Sequence, residues 1–317
     1  MLTTRSVVQI FSVVMTVLGA SAVCGQDYPN KAIRIFTGNP GGSNDAASRL
    51  IAQGISGPLG QPVIVENRGT PISTQIVASS PPDGYSLILG GDLLWINPLL
   101  RGLPNALEQF APISMLASAP NILCVHPSMP VKSVKELIAL AKARPGELNV
   151  SATAPGSIDH LMTELFKSMT GVKIVTIHYN GAAAAVALAG GEVHLSFPGV
   201  AVATPHIRSG KMRALAVTSA QPSSLAAGVP TLAASGLPGF DLAGQDAFYA
   251  PAKTPAAIIN RLNQEIVRFL KTKDAQEKYL NLGAEVRASS PEEHVVYLKS
   301  RTAVIGKLIK DAGIKIQ

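Results

Sequence analysis

Charge, aromatic residues and cysteine are all sparse in this chain of 317 residues. Only 15% of it is charged and 5% aromatic, and there are two cysteines. Its 27 Lys and Arg outnumber 20 Asp and Glu, for a formal charge of +7, but they are scattered singly with no basic run. Nucleic-acid binders concentrate their cations in a stripe, and base-stacking platforms need aromatics, so no nucleic-acid partner is expected. Long apolar runs are missing beyond the N-terminus, although 47% of the residues are hydrophobic. That combination excludes a polytopic membrane protein and a disordered chain, and it supplies a large buried core for about two domains. Internal repeats, coiled-coil heptads and low-complexity tracts are absent as well.

One apolar run is set aside before the fold is read. Residues 1–25 hold one basic residue, Arg5, and no acid, then an apolar stretch Val7–Leu18 and small residues from Gly19 to Gly25. This is the order of a secretory signal, and the run is shorter than the roughly 20 residues a membrane span needs. Cleavage after Ala22 or Gly25 fits the small-residue rule; a retained anchor is the alternative. Cleavage after Gly25 removes Arg5 and Cys24, so +7 becomes +6 and Cys124 is the single cysteine left. An intramolecular disulfide is then impossible. Cys124 sits in the apolar run Asn121–Val125 and reads as a packing residue, not a nucleophile.

Catalytic and metal motifs are missing too. There is no G-x-x-x-x-G-K-[ST] phosphate loop, no G-x-S-x-G elbow, no C-x-x-C and no H-E-x-x-H. The six histidines include no pair at helical i, i+4 spacing, so no metal site is signalled and no cofactor is expected.

What is present is an alternation of strands and helices. Strands are expected at Ala32–Thr37, Val63–Glu66, Tyr85–Leu89, Leu123–Val125, Leu148–Ser151, Lys173–Tyr179, Val193–Phe197 and Arg213–Thr218. Helices are expected over about Asn44–Ser56, Thr74–Ser79, Ser157–Thr170 and Ala182–Leu188, and from two capping boxes, Ser133–Glu136 and Ser290–Glu293. The segment between Leu89 and Leu123 reads as irregular. This pattern predicts an α/β fold with mostly parallel sheets flanked by helices.

Two loop-to-helix junctions stand out. Pro40-Gly41-Gly42-Ser43-Asn44-Asp45 follows a strand and opens a helix. Thr153-Ala154-Pro155-Gly156-Ser157 does the same in the other half. Glycine lets the backbone turn tightly against a ligand, and the first amides of a helix have no internal partner and carry partial positive charge. Each junction is therefore a candidate anion seat without a cation. An ordinary βα turn with a Ser N-cap is the plain alternative for either alone. In open α/β sheets ligands bind at the carboxyl ends of strands, where both junctions fall. Trp95, near Asp92, is either a packing residue or a cleft wall that contacts the ligand.

An ordered set of short motifs runs from residue 28 to 314. It includes Tyr28-Pro29-Asn30-Lys31, Pro40-Gly41-Gly42-Ser43-Asn44-Asp45, Leu59-Gly60-Gln61-Pro62-Val63, Val65-Glu66-Asn67-Arg68 and Pro82-Asp83-Gly84-Tyr85. Pro155-Gly156-Ser157, Tyr179-Asn180-Gly181-Ala182, Gly210-Lys211-Met212-Arg213 and Ala312-Gly313-Ile314 continue it. The set resembles the Bug family, periplasmic solute receptors of tripartite tricarboxylate transporters. The resemblance implies a two-lobed, type II-like periplasmic binding fold. Lobe one would be 27–124 plus 249–317 and lobe two 125–248, with the ligand in the cleft. It implies a small mono- or dicarboxylate gripped by both βα loops through backbone N–H groups and waters, a membrane permease as partner, a monomer, and no catalysis. A receptor-like sensor and a secreted hydrolase using Ser157 or Ser43 are the alternatives. Departures fall at Gly69-Thr70-Pro71-Ile72, at Asn180 where the family has a cation before Gly181, at His194 where it often has Asp, and at Ala234. The expected ligand-binding set is thus both loops, Asp92, Trp95, Asn180, Gly181 and His194.

Overall fold

The structure, a computed structural model, describes residues 28–103 and 105–314. The expected signal segment, with Cys24, lies outside the described residues. The first part of the chain alternates β1 (Ile33–Thr37), α1 (Ser43–Leu59), β2 (Val63–Asn67), α2 (Thr70–Ala78), β3 (Ser86–Gly91), α3 (Leu93–Arg101), α4 (Ala106–Gln109) and β4 (Phe110–Ala119). The middle holds β5 (Ile122–Val125), α5 (Val134–Ala143), β6 (Asn149–Ala152), α6 (Ile158–Thr170), β7 (Val175–His178), α7 (Ala183–Ala189), β8 (Leu195–Ser196), α8 (Val200–Arg208) and β9 (Arg213–Val217). The chain then returns through β10 (Gly244–Pro251), α9 (Ala256–Leu270), α10 (Lys273–Asn281), β11 (Glu285–Val286) and α11 (Pro291–Asp311).

Two sheets result, ordered β11-β4-β10-β3-β1-β2 and β7-β6-β8-β5-β9. Each is mixed. The βα units pair in parallel, β1 with β2 and β3, and β6 with β7 and β8. The strands next to the chain crossings run the other way: β10 against β3 and β4, β11 against β4, and β5 against β8 and β9. A parallel neighbour needs a crossover helix, and these strands enter by direct return, so the mostly parallel expectation gives way at the crossings.

Strand pairing shows where the chain passes between the sheets. Ile122–Val125 pair wholly within the second sheet, and Gly244–Pro251 wholly within the first. The chain therefore passes from the first sheet to the second at 120–121 and returns within 218–243.

Strand alternation divides the core. In β1, Ile33 and Ile35 face one cluster and Phe36 the other; in β3, Leu87 and Leu89 oppose Ile88. The first face is covered by α1 and α9, through Ile51, Ile55, Leu262 and Ile266. The opposite face joins a cluster that runs on into the second sheet, from Phe36 and Ile88 through Leu298 and Ile305 of α11 to Leu123, Phe166 and Phe197. Helix α11, opened by the complete Ser290–Glu293 capping box, thus packs against both halves. The Ser133 box is half formed, because Glu136 accepts from Lys132 N–H instead of Ser133. Cys124 is fully buried in β5, and burial pushes its thiol up to about 12.

The stretch expected to be irregular holds α3, α4 and the ten-residue β4. Its burial pattern shows no alternation, because β4 is covered on both faces, and Pro112 lies at a register shift against β10.

Candidate functional site

A cavity of about 350 Å³ opens between the carboxyl ends of the two sheets. That falls within the roughly 300–1,000 Å³ of small-molecule sites. Its near side is made by Ser43 and Asn44 at the start of α1, Thr70 at the start of α2, and Ser157, Ile158 and Asp159 at the start of α6. Asp92, Gln245, Asp246 and Tyr279 form the far wall. Among the described residues no Lys, Arg or His lines it, and no group of three His, Cys, Asp or Glu could hold a metal ion.

The α1 junction is pinned by its own helix. Gly41 turns through φ +78°, a left-handed value that glycine adopts without cost. Its N–H donates to Asp45 Oδ2 at 2.9 Å. Arg49 Nε (2.8 Å) and Asn67 Nδ2 (3.1 Å) donate to Oδ1. The Gly41 N–H is the main cause that holds the Asp45 carboxyl below its ordinary range. Gly42, at φ −79°, directs its N–H to Asn39 O at 3.4 Å, and its carbonyl accepts from Ala46. The free donors therefore begin one residue later than expected. The N–H groups of Ser43, Asn44 and Asp45 meet no acceptor among the described residues.

The α6 junction repeats this geometry. Gly156 has φ +79° and donates its N–H to His160 Nδ1 at 3.0 Å. Thr153 gives its N–H (2.6 Å) and hydroxyl (2.8 Å) to the Asp159 carboxylate. The Ser157 hydroxyl donates back to Ala154 O at 2.6 Å and does not cap the helix. The amides of Ile158, Asp159 and His160 are again without an acceptor among the described residues. His160 Nδ1 must present its lone pair, which leaves Nε2 facing Glu164 at 3.7 Å. Burial opposes ionisation of Glu164, yet hydrogen bonds from His160 and Lys167 hold its carboxyl down to about 2.

Six of the expected residues shape the site without lining it, and three stand apart. Pro40, Gly41, Gly42, Asp45 and Gly156 build the two turns. Trp95 is 4% exposed and packs in the bridging cluster beside Asp92. Asn180 and Gly181 are exposed at the start of α7 and do not reach the cavity. His194 accepts the Asn149 N–H on its Nδ1 at 2.9 Å, at the amino end of β6, away from the cleft. Its place in the set came from motif position, and the local pairing uses it for sheet assembly. Ser43, Asn44, Asp92, Thr153 and Ser157 do line the cavity.

Beside the expected Asp92, the far wall contributes Gln245, Asp246 and Tyr279, which no local signal marked. Asp92 is 9% exposed; its Oδ2 accepts the Gln245 N–H at 3.0 Å and its Oδ1 is buried with no partner. Burial pushes Asp92 up to about 7, the Gln245 N–H draws it back, and Asp246 adds to the rise. The Trp95 side chain offsets this in part without making a well-formed hydrogen bond. Burial also lifts Asp246 to about 6. The Tyr279 hydroxyl is buried and unpartnered. Thr70 and Asp159 could have been read from sequence as first-turn residues; Gln245, Asp246 and Tyr279 are brought in only by the return of β10 and α10.

Two α/β lobes that present opposed helix starts to one interlobe cavity define a bilobal solute-binding receptor. Comparison with known proteins gives the family. The model of the tripartite tricarboxylate transporter family receptor matches residues 47–314, and the chain belongs to that family of periplasmic receptors. It is 34% identical to BugT of Bordetella pertussis, over 94% of each chain. The solved structure of R. palustris Rpa4515 with adipate is 35% identical, with a TM-score of 0.74, covering 91% of this chain and 99% of that one. A TctC solute-binding protein from Polaromonas, at 25% identity, has a TM-score of 0.82 over 90% of this chain and 99% of its own. The family is one of solute receptors, not of enzymes.

Proposed function

We propose that this receptor holds the carboxylate of a small solute between the opening turns of α1 and α6 and hands the solute to the membrane permease of a tripartite tricarboxylate transporter. The observation that carries the reading is the pair of glycine turns at one cavity. Each is pinned by the third residue of its helix, and each leaves three first-turn amides open with no cation lining the cavity. Helix starts bind anions through such amides and the helix dipole, and bonds to a charged group are worth roughly 1.5–3 kcal/mol each. The adipate of the Rpa4515 structure supports a carboxylate as the class of ligand.

In this reading residues 1–25 direct export and are removed, the protein acts as a monomer, and it performs no chemistry on its ligand. The lobes meet at 120–121 and within 218–243 and close over the ligand as a hinge. The test is a thermal-shift and solution-scattering screen of the chain without residues 1–25 against mono- and dicarboxylates. At 100 times its Kd a ligand adds roughly 2.7 kcal/mol of stability, and the radius of gyration should fall. A panel in which no carboxylate shifts the melting transition would contradict the reading.

A further inference from the structure

The carboxylates at the two ends of the cavity differ in what they leave open. At the near end they are saturated. Asp45 accepts from Gly41, Arg49 and Asn67, and Asp159 from Thr153 twice. At the far wall they are not. Asp92 Oδ1 is buried without a donor, and the Asp246 carboxylate meets no hydrogen-bond donor among the described residues. The two acids lie close enough that Asp246 disfavours ionisation of Asp92. Of the other titratable groups that face them, Arg301 favours the ionised form of Asp92 through space, but none donates a hydrogen bond to either open carboxylate oxygen. Tyr249, Tyr279 and Tyr297 are buried phenols pushed above their ordinary range, and the Arg301 guanidinium is bound to the Asp241 carboxylate and carbonyl.

We infer that the ligand carries, besides its carboxylate, a protonated amine that sits against Asp92 and Asp246, so that this receptor selects an amino-carboxylate over a dicarboxylate. The inference rests on the carboxylate reading of the near end. An ammonium brings three N–H donors to a wall with open acceptors and replaces the repulsion between the acids by attraction. A second carboxylate would meet two acids and no cation lining the cavity, and such a repulsive element is a common source of specificity. With Asp92 at about 7 and Asp246 at about 6, the wall is ionised at mildly alkaline pH and protonated at acid pH. Amine affinity should therefore rise with pH and diacid affinity should fall.

The test is calorimetric titration of the chain without residues 1–25 with matched sets of probes. Each set is an ω-amino acid, the α,ω-diacid and the simple monoacid of one carbon count, from propanoate to hexanoate. At about pH 8 the amino acid of at least one set should bind at least about tenfold more tightly than its diacid and monoacid. That advantage should shrink at least about fivefold at about pH 5, and Asp246→Asn should abolish it while melting near the unaltered protein. The pH profile of the unaltered protein decides the matter even if the variant fails to fold. Binding of diacids at pH 8 as tight as that of amino acids, or an advantage that survives Asp246→Asn, overturns the inference and leaves the carboxylate reading standing. If no probe of any class binds, both fall.

Discussion

In the first lobe the turning glycine gives its N–H to a carboxylate, Asp45 on Gly41; in the second it gives it to an imidazole, His160 on Gly156. The backbone is the same in both, with φ of +78° and +79°, and each acceptor stands on the third residue of its helix. An anion site of this kind needs a left-handed turn tied down by the helix it introduces, and the chemistry of the tie is free to vary. The surroundings differ more than the turns. A Cβ on Gly41 would meet open space, whereas one on Gly156 would lie 2.5 Å from Leu100 Cδ1 of α3, in the other lobe.

The largest expected effect breaks this symmetry. Gly156→Ala combines left-handed strain of about 1–2 kcal/mol with an overpacked contact of about 1–3 kcal/mol, for a loss of roughly 3 kcal/mol in urea unfolding. Gly41→Ala should lose only about 1 kcal/mol, from the strain alone. Equal losses would mean that Leu100 yields freely and that the two turns are alike.

Next comes the tie itself. Asp45→Ala leaves the Gly41 N–H and the Arg49 Nε–H without their acceptor, and Kd for the cognate carboxylate should rise about tenfold. The same residue sets a pH response. Its carboxyl is held below the ordinary range in the folded state, so the stability it contributes is complete above roughly pH 4 and is lost as pH falls through the folded value. Glu164, held at about 2, adds to the same decline. Thermal melting followed below about pH 4 should show a shallower slope in Asp45→Asn than in the unaltered protein. An unchanged slope would remove Asp45 from the account.

Ser157→Ala should do less. The hydroxyl closes its own loop on Ala154 and leaves the helix uncapped, so the loss should stay under about 1 kcal/mol and Kd should move about twofold. Trp95→Phe is expected to be smallest, with Kd within about twofold, because the indole packs in the core and does not line the cavity. A tenfold loss would put the indole, or its hold on Asp92, into the binding wall.

The near side of the cavity was legible in the sequence and the far wall, Asp92 apart, was not. Gly-rich turns before helices announce themselves locally, so Ser43, Asn44, Thr153 and Ser157 were found from neighbours a few residues away. The far wall depends on Gln245 N–H reaching Asp92 across 153 residues of chain, through a strand that returns to the first sheet. No periodicity carries that information. Strand β4 stayed hidden for a related reason, since burial on both faces erases alternation and Pro112 and Ser114 interrupt its apolar run. His194, Asn180 and Gly181 entered by motif position, and the physics of their surroundings places them at a strand end and an exposed turn.

The central claim is that a carboxylate sits on the paired helix starts. A crystal structure with the tightest-binding probe of the chain-matched sets tests it directly. The account predicts carboxylate oxygens within hydrogen-bond reach, about 3 Å, of amides in both Ser43–Asp45 and Ile158–His160 or of waters fixed by them. A carboxylate lodged instead against Asp92 and Asp246, or bound outside the interlobe cavity, would contradict it.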